Sequence, residues 1–208
     1  MKNLLILALT LAVAAPLSAQ HEHHQHQAAA PAPDKVEAQA VNGLDIPDVS
    51  VVDQDGKPVR FYSDLVKGKV VAVNFVFTTC TTICPPMGAN FAKLQKLLGD
   101  RAGKDVHLIS VSVDPANDTP ERLKAWGQKF GAGPGWTLVT GSREQVVHLL
   151  KALGVYTPDI NDHSPLVLVG NDAKGQWTRA YGLAAPAKVA EMIDGAAAPA
   201  EAAHAHHH

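Results

Sequence analysis

The chain's 208 residues are 46% hydrophobic and carry 18 Lys and Arg against 20 Asp and Glu, a formal charge of −2 at pH 7. This length and apolar fraction suit one compact domain with a full core. A near-neutral balance with 5% aromatics leaves no basic, aromatic-laced footprint, which argues against nucleic acid as a partner.

Residues 1–19 have the order of an export signal: Lys2 as a positive n-region, an apolar run over 4–15, and Leu17-Ser18-Ala19 as a cleavage site before Gln20. No cysteine follows directly, which argues against a lipid anchor. The alternative is an uncleaved membrane tether, for which the apolar run is short. Export places the chain in an oxidising, periplasm-like compartment, soluble once the signal is removed. Residues 20–43, rich in Ala, Pro, Gln and His, read as a flexible linker that holds His21, His23, His24 and His26. Imidazoles in such a segment gather Cu(II), Ni(II) or Zn(II) loosely, or merely solvate it. Residues 196–208 form a matching tail that ends His206-His207-His208, whether native or appended.

The folded domain is expected over residues 44–195. Val49-Ser50-Val51-Val52 and Val59-Arg60-Phe61 flank Asp55-Gly56 and predict an N-terminal β-hairpin. A β-branched run over 70–77, polar only at Asn74, predicts a buried strand. It breaks into Thr78-Thr79-Cys80-Thr81-Thr82-Ile83-Cys84, and Pro85-Pro86 opens a helix over 87–98.

Cys80 and Cys84 are the chain's two cysteines, four residues apart where a strand hands over to a helix N-terminus. The partial positive charge there favours thiolate over thiol. The spacing permits a disulfide and, as thiolates, a clasp on one soft metal ion. Two plainer readings stand beside these: a static bridge, which in so short a loop would be a poor staple, or two inert buried thiols.

Residues 106–113 read as a second buried strand, ending at Asp114-Pro115. Thr119 as N-cap and Pro120 at N1 begin a helix that runs to about Phe130. A short strand over 136–139 follows, then a helix over 142–153 with Ser142 as cap and Val146, Leu149, Leu150 and Leu153 on one face. Pro165 introduces a strand over 166–169, a turn over 171–175 leads into a strand over 176–181, and residues 186–193 close with a helix. The pattern is an α/β sheet with helices on both faces. His107, within a strand, and His148, on a helix, read as structural. Met87 is a weak thioether candidate or a core residue, and Trp126, Trp136 and Trp177 read as core or surface cover.

Three spaced motifs carry a family likeness: Thr79-Cys80-x-x-x-Cys84-Pro85, then Ser112-Val113-Asp114-Pro115-x-x-Asp118-Thr119-Pro120, then Asp162-His163-Ser164. Together, over about residues 44–193, they resemble the Sco/SenC family. The resemblance implies a thioredoxin-like central sheet and a copper ion, Cu(I) or Cu(II), held by Cys80, Cys84 and His163. It implies an exported metallochaperone for the binuclear copper site of a respiratory cytochrome c oxidase, with Cys80 and Cys84 redox-active. The partners so implied are the copper-receiving oxidase subunit or another copper carrier, and a thiol reductant. A membrane surface is within reach if the N-terminus stays uncleaved. Asp114 and Asp118 would shape the surface nearby or, on the plainer reading, cap the Thr119 helix and its turn. Many family members carry Pro-Asp where this chain has Thr81-Thr82, so an acidic group is missing here. Pro165 stands where thioredoxin-like proteins often place a cis proline facing the cysteines, or it simply starts a strand.

Two thiolates and an imidazole suit Cu(I), and Cu(II) would add an oxygen ligand. Because the ligands must be deprotonated, binding releases protons and weakens in acid. The rival reading is a thiol-disulfide oxidoreductase without stable metal, although the four-residue spacing departs from Cys-x-x-Cys. Peroxidase chemistry is weaker still, since Val73 and Phe77 stand where the peroxidases resembled need proline and threonine.

Overall fold

The computed structural model describes residues 38–199. The expected export signal of residues 1–19, the cluster His21 to His26 and the final His-rich residues lie outside the described residues.

Strand β4, Val70–Val76, is buried along nearly its whole length, as a run of β-branched residues without polar alternation requires when both faces of a sheet are covered. It is central in an eight-stranded sheet of order β1-β8-β7-β4-β5-β6-β2-β3. The other strands are β1 Ala38–Val41, β2 Ser50–Asp53, β3 Pro58–Arg60, β5 Val106–Ser112, β6 Trp136–Thr140, β7 Leu166–Asn171 and β8 Gln176–Tyr181. β4, β5 and β6 run parallel; β7 lies antiparallel on the other side of β4. The β2–β3 hairpin turns where expected, with Asp53 Oδ1 accepting from the N–H groups of Asp55 and Lys57, both at 2.9 Å.

Helices α1 Cys84–Leu98, α2 Pro120–Lys129 and α4 Pro186–Ala197 cover one face, packing Phe91, Leu94, Leu123, Trp126 and Ile193 on Ala72, Val76 and Leu108. On the other face, α3 Arg143–Ala152 and a π-helical turn, Phe61–Val66, bury Val146, Leu149, Phe61 and Val66 against Val71, Val73 and Phe75. Thr119 and Ser142 cap α2 and α3 as expected, accepting from Arg122 N–H and Gln145 N–H. The three tryptophans are core residues, as is Met87. Asn74, the polar exception in β4, accepts at Oδ1 from Ser110 Oγ (2.6 Å), which accepts from Trp136 Nε1 (2.9 Å), so its side-chain oxygen is held in a buried chain while its Nδ2 has no hydrogen-bond partner among the described residues.

The fold begins earlier than the sequence indicates. Ala38–Val41 lies inside the stretch read as linker, yet pairs antiparallel with β8 from Ala38↔Ala180 to Val41↔Trp177. Ala-Gln-Ala-Val carries no strand-like apolar alternation; what makes it a strand is the open backbone edge of β8. At the other end α4 runs on to Ala197, past the expected boundary.

Candidate metal and dithiol site

The first turn of α1 has an unusual donor inventory. The helix begins at Cys84 rather than at Met87, because Pro85 and Pro86 have φ preset for a helix and continue it back through the cysteine. Neither proline has an N–H, Met87 N–H is taken by Ile83 C=O, and the N-cap Ile83 offers no side-chain cap. One orphan amide remains in the turn, that of Cys84, and it donates to Cys80 Sγ at 3.3 Å. The sulfur of Cys80 therefore takes the place of a helix cap. Thr82 Oγ1 lies 3.8 Å from the same sulfur.

Both cysteines are free. Cys80 is 9% exposed and Cys84 fully buried. Burial alone would push the Cys80 thiol up, but hydrogen bonds from the Cys84 side chain and backbone and from Thr82 outweigh it and bring the group below its ordinary 9.0. Cys84 goes the other way, to about 12, through burial first, then its hydrogen bond to Cys80 and the negative charges of Cys80 and Asp118. Cys80 is thus the more readily ionised thiol of the pair, and Cys84 is held protonated.

His163 is 5% exposed. It follows a single helical turn, Ile160–Asp162, whose start is capped by Asp159. The register explains its placement: Asn74 pairs with Val167, so the residues just before β7 fall at the end of β4, where the cysteine loop starts. His163 Nε2 lies 2.9 Å from Phe75 C=O, and the two rings meet edge-on with centroids 6.5 Å apart. A carbonyl only accepts, so Nε2 carries the hydrogen and the neutral ring leaves the lone pair on Nδ1. Burial pushes the imidazole below 6.5, while its bond to Phe75 C=O acts the other way. A depression lined by Tyr156, Thr157, Ser164 and Tyr181 adjoins the ring.

The structure brings Cys80 and Cys84 together and leaves His163 apart: among the described residues no three His, Cys, Asp or Glu side chains stand close enough to hold a metal ion. The donor set still suits a soft ion, with one ionisable sulfur, a second beside it, and an imidazole whose Nδ1 is free. Asp114 and Asp118 do not shape a surface, since both are buried, and neither caps α2, since Thr119 does. Asp118 instead accepts from Thr78 N–H (3.0 Å), Thr78 Oγ1 (2.6 Å) and Ser112 Oγ (2.6 Å), while Asp114 accepts from Asn117 Nδ2 (2.8 Å). Burial raises the Asp118 carboxyl, with the hydrogen bonds from Ser112 and Thr78 opposing it. Thr78, Ser112 and the Phe75 carbonyl are the site residues that sequence reasoning missed; Ser112 and Asp118 share a motif, and their polarity at a strand end was the available signal. Pro165 starts its strand through a trans bond, no cis peptide occurring among the described residues, and its C=O accepts from Gly182 N–H. His107 is half-buried in β5 and His148 exposed on α3.

A mixed sheet covered by helices on both faces, with a dicysteine at the mouth of its first long helix, makes this a thioredoxin-like protein, as are the Sco structures it superposes on. The chain belongs to the SCO1/SenC family, whose family model matches residues 44–198. It is 39% identical over 132 residues to the SCO1 protein homolog of Bacillus subtilis, a match covering 59% of this chain and 66%, just under two thirds, of that relative. A solved structure of BsSco, described as a member of the Sco family of cytochrome c oxidase assembly proteins with a disulfide switch, superposes with TM-score 0.62 at 30% identity, covering 76% of this chain and 95% of BsSco. Bradyrhizobium japonicum ScoI with copper bound superposes with TM-score 0.60 at 26% identity, covering 73% and 99%.

Proposed function

We propose that this chain is an exported copper carrier that takes Cu(I) or Cu(II) on Cys80, Cys84 and His163 and serves assembly of the binuclear copper centre of a respiratory cytochrome c oxidase. The carrying observation is the Cys84 N–H resting on the Cys80 sulfur, which sets two free sulfurs at one helix mouth. The copper-bound ScoI and the oxidase-assembly description of BsSco support the cargo and the client. His163 would offer Nδ1, with Nε2 held by Phe75 C=O as an orienting hydrogen bond of the kind that fixes metal-binding imidazoles. Its approach to the sulfurs requires the loop before β7 to shift. The leader of residues 1–19 supports export, and no helix among the described residues is long and apolar enough to cross a membrane.

A second reading is favoured by the unequal thiols. Cys80 as thiolate attacks a partner disulfide, forming a mixed disulfide and releasing one partner thiolate. Cys84 gives its proton to the released partner thiolate and then attacks Cys80 Sγ, releasing the second partner sulfur as thiolate, so the partner gains two electrons and this chain ends with a Cys80–Cys84 bond. The two readings are compatible, since the disulfide form cannot hold copper and redox state would gate loading.

The deciding experiment is titration of the reduced chain, with the histidines of both tails replaced, with Cu(I) and Cu(II), beside the same chain carrying His163→Ala. One tightly bound ion per parent chain, weakened at least about tenfold in the variant, is expected. Equal binding by both would make His163 a bystander.

A further inference from the structure

We infer that Asp118 is a positioning residue for the dicysteine loop, fixing where Thr78, and with it Cys80, stands against the mouth of α1. This deepens the reading above and rests on Cys80 and Cys84 being the working pair.

Between the end of β4 and the start of α1 the chain makes little backbone structure of its own. Cys80 N–H to Phe77 C=O, at 3.2 Å, is the one backbone hydrogen bond that a donor of this loop makes. Asp118 supplies what the backbone does not. Its Oδ1 takes both donors of Thr78, and its Oδ2 takes the hydroxyl of Ser112. Ser112 pairs with Val76 in the sheet, so the carboxylate straps together two neighbouring parallel strands where both leave it. Asp118 is itself anchored by its N–H on Asp114 C=O at 2.9 Å, and the next residue caps α2. The strap therefore fastens the cysteine loop to a rigid helix start.

The carboxylate is 2% exposed and enters none of the ion pairs among the described residues. A buried charge facing only neutral donors is costly to keep for stability alone. Its chemistry fits the place: three inward-pointing donors need an acceptor with two oxygens, and an apolar side chain would leave all three unmet. Helix capping does not explain it, because Thr119 does that work.

The test compares Asp118→Ala with Asp118→Asn in the full chain. Asparagine keeps one oxygen for both Thr78 donors and can donate its amide to Ser112 Oγ, so it preserves the strap without the charge. The readout is the Cys80–Cys84 disulfide–dithiol equilibrium of the metal-free chain against dithiothreitol, followed by Cu(I) affinity by competition. Asp118→Ala is expected to shift the equilibrium at least about tenfold, roughly 30 mV for this two-electron couple, with Asp118→Asn within about threefold of the parent. If Asp118→Ala does not fold, Thr78→Val and Ser112→Ala each remove one strut and are expected to shift it about threefold. An unchanged equilibrium in the alanine variant, or in both single-strut variants, overturns the assignment. So does an asparagine variant as perturbed as alanine, because charge rather than position would then be at work. The equilibrium is read without metal, so a parent chain that failed to bind copper would sink the carrier reading and leave this test intact.

Discussion

The two halves of the candidate site are built in opposite ways. The cysteine half is local: a strand end, a seven-residue loop and a helix start bring two sulfurs together, and the Cys84 amide ties them. The histidine half is long-range: Phe75 and His163 are 88 positions apart, and the ring is parked on the backbone of β4 rather than on the sulfurs. On the proposed carrier reading the sulfurs stay in place and the histidine half moves to close on an ion and open again, which a carrier must do and a structural metal site must not.

That contrast breaks first at the cysteines. Cys80→Ser is expected to weaken Cu(I) binding by more than about a hundredfold, beyond what loss of an orienting partner does. The same competition titration should show His163→Ala weakening it less, since two sulfurs remain. Equal losses would mean the halves are not separable. Next comes the asymmetry within the fixed half. Cys80 is held below its ordinary 9.0 and Cys84 is pushed up to about 12, so Cys80 ionises first. Partly offset by the lower nucleophilicity of the more acidic thiol, this order predicts alkylation at pH 8 at least about tenfold faster at Cys80. Peptide mapping after brief iodoacetamide treatment measures this, and comparable labelling of both would remove the ordered dithiol mechanism.

How far the sequence discloses this arrangement follows the same division. The β4 run, the dicysteine turn, the Pro-Pro helix start and the Thr119 and Ser142 caps are local signals, and each appears in the structure close to where its residues say. β1 was hidden because an alanine-rich edge strand is specified by its partner and not by its own pattern. The Asp118 strap was hidden because an aspartate just before a helix looks like a cap; only the adjacency of β4 and β5 shows that it faces Thr78. For His163 the motif marks the residue, but nothing local says that its ring meets the Phe75 carbonyl.

Stability against pH tests both halves at once. Cys84 has a folded pKa of about 12 against an ordinary 9.0, so the unfolded chain releases this proton first as pH rises. Stability should therefore fall between about pH 9 and 12, and Cys84→Ala should flatten that slope. His163 has a folded pKa below 6.5, so the unfolded chain takes up its proton first as pH falls. Its contribution is intact above 6.5 and is lost on acidification below it, and His163→Gln should lessen that loss. Urea unfolding midpoints across the two pH ranges measure both. Slopes of the opposite sign would show that the groups are not held in the protonation states that their surroundings favour.

The smallest effect is expected at Thr82. Its hydroxyl, 3.8 Å from Cys80 Sγ, is a weak donor at the long end of the range for sulfur, whereas the Cys84 amide sits at 3.3 Å with the helix behind it. Thr82→Val keeps the shape and deletes the hydroxyl, removing about 0.5 kcal/mol of support for the thiolate and slowing Cys80 alkylation about twofold. A pH–rate profile for parent and variant measures it. A drop of tenfold or more would move the origin of the reactive thiolate from the helix mouth to the loop. It would also give Thr81-Thr82, where many family members carry Pro-Asp, a direct part in the chemistry of Cys80.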